Sequence, residues 1–323
     1  MKAFWIRHEA GKAELYLREL PVPEPGPGQI LLRVRAAGLS RGDLLGAISF
    51  HRAPEGRPAG VEAAGEVHAV GANVKGFKPG DRVMARTRGG FAEYVLVDPG
   101  LATPIPAGFS WEKAAAIPIS YITAWEALVR FGRLKAGETL LITGASGGVG
   151  VCSIQLGKVL GAKLIGVSTS ASKLEKLKAL GLDSAICARG EDFSGQVLEL
   201  TGGKGVDLAV NLVGGTVFAA CQRSLGKFGR LAIVGYVDGV MTTPLDLEAA
   251  HGKRHEIFGI SNAPLTPEMR ATATKGFERD VLPAIVDGRI EPVIDRVFPF
   301  LELPAAKAYV DAGAQIGKVV VKM

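Results

Sequence analysis

The stretch LLITGASGGVG at residues 140–150 limits the fold of this chain more than any other feature. An apolar run leads without a break into a turn holding Gly144, Gly147, Gly148 and Gly150, and a stretch with helical spacing follows. Glycines in such a turn let backbone N–H groups approach a pyrophosphate, and the start of the next helix adds unpaired donors and the positive end of its dipole. Read from Ala145, the spacing is A-x-G-x-x-G, one alanine away from the dinucleotide fingerprint. Ala145, Ser146, Gly147, Gly148, Val149 and Gly150 are therefore candidate pyrophosphate contacts. A P-loop is excluded, because no Lys-Ser or Lys-Thr pair follows the last glycine. A tight strand-to-helix turn without a ligand is the plainer alternative.

The flanking sequence extends the pattern. Apolar segments at 140–143, 163–167, 184–187, 207–212, 230–235 and 256–260 alternate with amphipathic stretches such as 151–160 and 172–180. That alternation predicts an α/β, doubly wound parallel sheet. Residues 1–119 read differently, as short alternating strands such as 29–36 and 61–70 broken by Pro-Gly pairs, an antiparallel barrel pattern. Helices are predicted over 111–116, 124–131 and 267–287, and a final strand over 317–322 has little nearby to pair with. The expected organisation is a dinucleotide-binding domain, 120–262, and a discontinuous barrel domain, 1–119 with 263–323.

Which dinucleotide is decided at the second strand of that sheet. An NAD site places Asp or Glu about 20 residues beyond the glycines to hold the ribose hydroxyls. Here the strand runs out through Ser168, Thr169, Ser170, Ala171, Ser172 and Lys173, and no acid occurs until Glu175. Hydroxyls and a lysine point to a 2′-phosphate, hence NADP(H), with Ser168 and Lys173 as contacts; an ordinary helix cap and turn is the other reading of that run. Asn211, Gly235 and Ser261 fall at the carboxyl ends of predicted strands, where open α/β sheets bind ligands. Thr123 and Val213 complete the candidate cofactor contacts. The residues also match T-G-x-x-x-G-x-G from Thr143, the signature of short-chain dehydrogenases, but the Tyr-x-x-x-Lys dyad such enzymes require is missing.

Composition excludes several classes. A length of 323 residues suits two domains. No apolar run approaches a membrane span, and the first residues lack the apolar core of a secretion signal. Cys152, Cys187 and Cys221 form no C-x-x-C pair, so neither a disulfide framework nor a cysteine-built zinc site is expected, and a reducing cytoplasm fits. The net charge of +6 has one local cluster, Lys75, Lys78, Arg82, Arg86 and Arg88, read as a solvated face; no nucleic-acid or membrane partner is expected. His251 and His255 have i,i+4 spacing, but Lys253 and Arg254 between them favour a solvated surface over a metal site.

The motifs AAGLSRGD (36–43), GVEAAGEVHAVGANVKGFKPGDRV (60–83), GGFAEYV (89–95), TAWEAL (123–128), TGASGGVG (143–150), GRLAIVG (229–235) and GKVVVKM (317–323) together resemble the medium-chain dehydrogenase/reductase superfamily, in its zinc-independent, quinone oxidoreductase-like branch. The resemblance covers nearly the whole chain and implies a GroES-like antiparallel β-barrel domain joined to a Rossmann domain. Zinc-dependent members carry a cysteine ligand in the stretch resembling 38–43 and a Gly-His-Glu motif where this chain has Gly60, Val61 and Glu62. A lone Glu62 does not make a zinc site, so the expected metal is none.

Without a Lewis acid, alcohol oxidation lacks its usual alkoxide stabilisation, whereas quinones and α,β-unsaturated carbonyls accept hydride with hydrogen-bond donors alone. The resemblance thus implies NADPH-dependent reduction of such acceptors by a cytoplasmic homodimer. It places Ser40 where relatives often have a contributing Asn and matches Asp43 to an Asp found there; these are the candidate catalytic residues. Leu45 and Cys187-Ala188 depart from the Tyr and Asn-Tyr of several relatives, and His51 and Tyr121 are further proton-donor candidates. An enoyl-thioester reductase, whose acyl carrier would meet the cluster at 82–88, and a non-catalytic NADPH-binding relative of crystallin-like or RNA-binding type are the alternatives.

Overall fold

The computed structural model describes residues 1–9, 12–44, 55–190, 192–262 and 265–323. Among them, strands β1 (Lys2–Glu9), β2 (Lys12–Glu19), β3 (Ile30–Gly38), β4 (Arg57–Pro58), β5 (Glu62–Val70), β6 (Arg82–Arg86), β7 (Tyr94–Val97) and β8 (Ala102–Pro104) come first. Then follow β9 (Thr139–Thr143), β10 (Lys163–Ser168), β11 (Ser184–Cys187), β12 (Val206–Asn211), β13 (Leu225–Ile233) and β14 (Glu256–Gly259), and finally β15 (Ile294–Pro299) and β16 (Lys318–Lys322). The chain divides into two compact units: Met1–Ile122 with Ala263–Arg279 and Pro292–Met323, and Thr123–Asn262 with Asp280–Glu291.

In the first unit, β2, β1 and β4 form a small antiparallel sheet, and a larger one runs β15-β16-β3-β5-β6-β8. The long strand β3 is the branch point. Its first half also pairs with β7, Ile30 to Arg33 against Val97 to Tyr94, and its last residues pair with β16, Ala36 to Gly38 against Lys322 to Val320. Two register shifts against β5 bend β3, the usual effect of a bulge, and let it serve several neighbours. Pairing is antiparallel throughout this sheet except between β15 and β16. Alternate residues Ile30, Leu32 and Val34 point inward with Phe4, Val67 and Phe91 to form the core.

The second unit is a six-stranded sheet in the order β11-β10-β9-β12-β13-β14, parallel at every pairing. Leu140, Leu141 and Ile142 of β9 are buried on both faces, as a central parallel strand requires. The order reverses between β9 and β12, which creates the switch point where such sheets bind ligands.

Three local features differ from the sequence reading. The helix expected over 111–116 does stop before Pro118, at Ala115, but the helix expected from 124 already begins at Pro118 and runs Pro118–Trp125, because proline suits a first helical position. The stretch Glu126–Arg130 continues it as a single π turn rather than as part of an α-helix. The helix expected over 267–287 breaks into Pro267–Asp280 and Leu282–Val286, since Pro283 lacks the N–H to continue it. Residues Asp280–Glu291 belong to the second unit rather than to the barrel. Trp125 Nε1 donates to Asp280 Oδ2 at 2.8 Å and Gln155 Nε2 to the Glu291 carbonyl at 2.8 Å, which ties both ends of the segment down.

Candidate functional site

Strand β9 ends at Thr143, and Gly144 turns the chain with φ 62° into helix Gly148–Val159. The Gly147 N–H bonds back to the Gly144 carbonyl at 3.0 Å, and the Ala145 N–H reaches the Val167 carbonyl of β10 at 3.1 Å. A Cβ on Gly150 would sit 2.6 Å from the carbonyl oxygens of both Gly144 and Ala145, so only glycine lets the helix start this close to the strand. The helix has Gly147 at its cap, no side-chain cap and no acid in its first turn. Its first N–H groups and dipole therefore face outward uncompensated. Ala145 itself is fully buried and shapes the turn, whereas Ser146, Gly147, Gly148 and Val149 are partly exposed.

At the next strand end, Ser168 lies beside the turn, its Oγ 3.4 Å from Ser146 Oγ. Thr169, Ser170 and Ser172 follow, with Ser170 and Ser172 Oγ 3.1 Å apart, and Lys173 lies in the first turn of helix Ala171–Ala179. Cys187 pairs in register with Ser168 at the end of β11, and Arg189 comes two residues later. The rim thus offers hydroxyls, an ammonium and a guanidinium. The donor set fits a dinucleotide carrying an extra phosphate on its ribose.

Asn211 at the end of β12 is only 1 % exposed, and its amide is committed to the loop that follows. Oδ1 accepts from the Val213 and Gly214 N–H groups, both at 3.0 Å, and Nδ2 donates to the Gly214 carbonyl at 2.9 Å. The Asn211 side chain thus holds the backbone of Val213 and Gly214 in place. The Gly235 N–H donates to the Asn211 carbonyl at 3.1 Å, which sets the end of β13 against β12. Thr123 is buried and accepts from Asn262 Nδ2 at 3.4 Å, next to exposed Ser261. Ser146, Ser168, Val213, Gly235 and Ser261 all lie at the carboxyl edge of one sheet.

In the first unit, Ser40 precedes a short helix, Arg41–Leu44, that contains Asp43; the side chain of Asp43 lies outside the described residues, as do Leu45 and His51. Tyr121 is buried in the core. Glu62 has both carboxylate oxygens occupied: Oε2 accepts from the Ile119 N–H at 2.8 Å and Oε1 from the Lys318 ammonium. Such a carboxylate does not fit a zinc ion, and among the described residues no group of three His, Cys, Asp or Glu comes together to hold one. Helix Leu247–Lys253 ends before His255, with Arg254 left-handed, so the two histidines share no helix face. The basic cluster is not a uniform solvated face either. Arg82 stacks over Trp111 at 4.1 Å and donates to the Phe109 carbonyl at 2.7 Å, and Arg86 is only 5 % exposed.

Two residues escaped the sequence reading. Lys318 lay in a valine-rich strand, and Asp238, which bonds to Thr216, had no local signature. The glycine pair at 214–215 was the only hint that a second helix start needed close packing.

A six-stranded parallel sheet with a glycine-rich first turn and a separate, mostly antiparallel unit make up the two-domain architecture of dinucleotide-binding dehydrogenases. Residues 26–107 match the alcohol dehydrogenase GroES-like domain and residues 148–275 the zinc-binding dehydrogenase domain. The chain is 32 % identical to the rat synaptic vesicle membrane protein VAT-1 homolog over 326 residues, 95 % of this chain and 80 % of that protein. It is 30 % identical over 311 residues to a phenolphthiocerol/phthiocerol polyketide synthase of Mycobacterium tuberculosis, covering 96 % of this chain but only 14 % of the length of that synthase. Among solved structures, the Escherichia coli quinone oxidoreductase complexed with NADPH superimposes with a TM-score of 0.88 at 26 % identity over 100 % of both chains. The chain belongs to the medium-chain dehydrogenase/reductase superfamily, in its quinone oxidoreductase-like branch.

Proposed function

We propose that this chain is an NADPH-dependent oxidoreductase that reduces a quinone or an α,β-unsaturated carbonyl without a metal. The observation that carries the reading is the end of β10, where Ser146 and Ser168 pair at 3.4 Å and Lys173 follows, in place of the acid that would repel a 2′-phosphate. The E. coli relative solved with NADPH supports the same cofactor. The bound dihydronicotinamide supplies the hydride. The first turn of helix Gly148–Val159 holds the pyrophosphate, and Ser168 and Lys173 take the ribose phosphate. The Ser40 hydroxyl donates to the acceptor oxygen as it gains charge, and Asp43 orders the surrounding pocket. Glu62, spent on Lys318 and Ile119, supports an acceptor that needs no Lewis acid. A cytoplasmic homodimer acting on small molecules belongs to the same reading; among the described residues no helix is long and apolar enough to cross a membrane.

A second reading, an enoyl-thioester reductase, is favoured by the 30 % identity to a stretch of a polyketide synthase. The two separate in one assay: NADPH oxidation measured with a simple quinone, a free enone and the matching enoyl thioester. Comparable or faster turnover of the quinone and free enone supports the first reading. Turnover confined to the thioester supports the second, and no turnover with tight NADPH binding rejects both.

A further inference from the structure

We infer that Asp238 is a positioning residue for the cofactor, an internal carboxylate that fills the second helix start at the switch point and pins the loops on both sides of it; this rests on NADPH binding by the second unit. Two helices begin at the carboxyl edge beside the reversal of strand order: Gly148–Val159 after β9 and Gly215–Arg223 after β12. Both have glycine caps without a cap side chain of their own, and both aim a positive dipole at the edge. They differ in what stands in front of them. Neither helix has an acid in its own opening turn, but Asp238 Oδ2 accepts from the Thr216 N–H at 2.8 Å and from the Thr216 hydroxyl at 2.6 Å, whereas among the described residues no carboxylate bonds the opening N–H groups of the first helix.

The same aspartate ties the loops together. Its Oδ1 accepts from the Val240 N–H at 2.9 Å, and its own N–H donates to the Val213 carbonyl at 3.1 Å. The Gly215 N–H donates to the Val240 carbonyl at 3.1 Å. Gly214 has φ 135°, and a Cβ there would lie 2.0 Å from Asp238 Oδ1, so the fit excludes any side chain. Asn211 grips Val213 and Gly214 from the strand side while Asp238 grips Val213 and Thr216 from the other. Val213 and Gly235 are both candidate cofactor contacts, and Asp238 closes the segment that joins them. Two consequences follow. The dinucleotide's anionic groups are directed to the first helix because the second already faces a negative charge. The loops at 212–214 and 235–240 are also set before the cofactor arrives, which lowers the ordering cost of binding.

The test is NADPH affinity, followed by fluorescence, alongside thermal unfolding, for wild type, Asp238→Ala, Asp238→Asn and Thr216→Val. The NADPH Kd is expected to rise by roughly tenfold or more in Asp238→Ala and by less in Asp238→Asn and Thr216→Val, each of which retains part of the bonding. KM for NADPH should rise further than kcat falls. A lowered unfolding temperature with Kd within twofold of wild type, in all variants that fold, would make Asp238 a mere helix cap and overturn the inference. Wild-type protein that binds no NADPH would instead overturn the cofactor reading, and this inference with it. Should Asp238→Ala fail to fold, the same comparison of Kd with unfolding temperature in the two milder variants decides between these outcomes.

Discussion

The Lys318 ammonium and the Glu62 carboxylate, 256 residues apart in sequence, form a buried ion pair in the first unit, 5 % and 0 % exposed. Each partner has a further bond: Lys318 Nζ donates to the Leu39 carbonyl at 2.8 Å, and Glu62 accepts from the Ile119 N–H. The pair thus joins β16, the start of β5, the residue before Ser40 and the start of helix Pro118–Trp125. Removing one partner leaves the other charged and buried, which costs about 3–5 kcal/mol, whereas replacing both with apolar groups is far milder. Glu62→Gln or Lys318→Met should therefore lower unfolding free energy in urea by about that amount. The double variant Glu62→Leu with Lys318→Met should be more stable than either single one. Additive losses in the double-mutant cycle would contradict the pairing.

Lys173 is expected to read the ribose phosphate. Lys173→Glu puts a carboxylate where an NAD-type acid would stand and should weaken NADPH binding by roughly 10–100-fold, the range of a lost charge-assisted bond. NADH binding should change little or improve. Titration of both cofactors against both proteins checks this, and an equal loss for NADH and NADPH would remove Lys173 from the site.

Stability should fall in mild acid through His255. Burial and then the Lys253 charge push its imidazole below the usual 6.5, against smaller opposing pulls from the Gly226 backbone and Asp246. The unfolded chain then binds a proton near its ordinary pKa that the folded chain refuses. The stability contribution is present above about 6.5 and is lost as pH falls toward the lower folded value. Unfolding temperature should thus decline on acidification through this window, and His255→Gln should show a shallower decline. Identical pH profiles for the two proteins would count against it.

The three cysteines should differ sharply toward a thiol reagent. Cys221 is fully buried, its thiol pushed up to about 12 by desolvation, and Cys152 is buried, while Cys187 is exposed. One fast-reacting thiol is expected in the folded protein. Because Cys187 lies level with Ser168, NADPH should slow that reaction. Unchanged labelling under saturating NADPH would place the ribose elsewhere.

Much of the cofactor unit was legible in sequence because parallel strands buried on both faces read as uninterrupted apolar runs, and because the glycine turn has a fixed spacing. The pair Glu62 and Lys318 was not, since a lysine in GKVVVKM looks like any strand-end cation until a partner from a distant segment is brought beside it. Asp238 escaped for a related reason: it caps a helix 22 residues earlier, where cap rules look only for near neighbours. The packing of residues 280–291 with the second unit was not legible either, because their anchors, Trp125 and Gln155, come beside them only after folding.

The most direct measurement is hydride tracing. NADPH deuterated at the transferred position of its nicotinamide is incubated with the protein, a free enone and a metal chelator, and the product is examined by mass spectrometry. One deuterium at the β-carbon, formed at the rate seen without chelator, is the expected result. A product whose new β-hydrogen comes from solvent, or activity abolished by the chelator, would contradict metal-free transfer from NADPH.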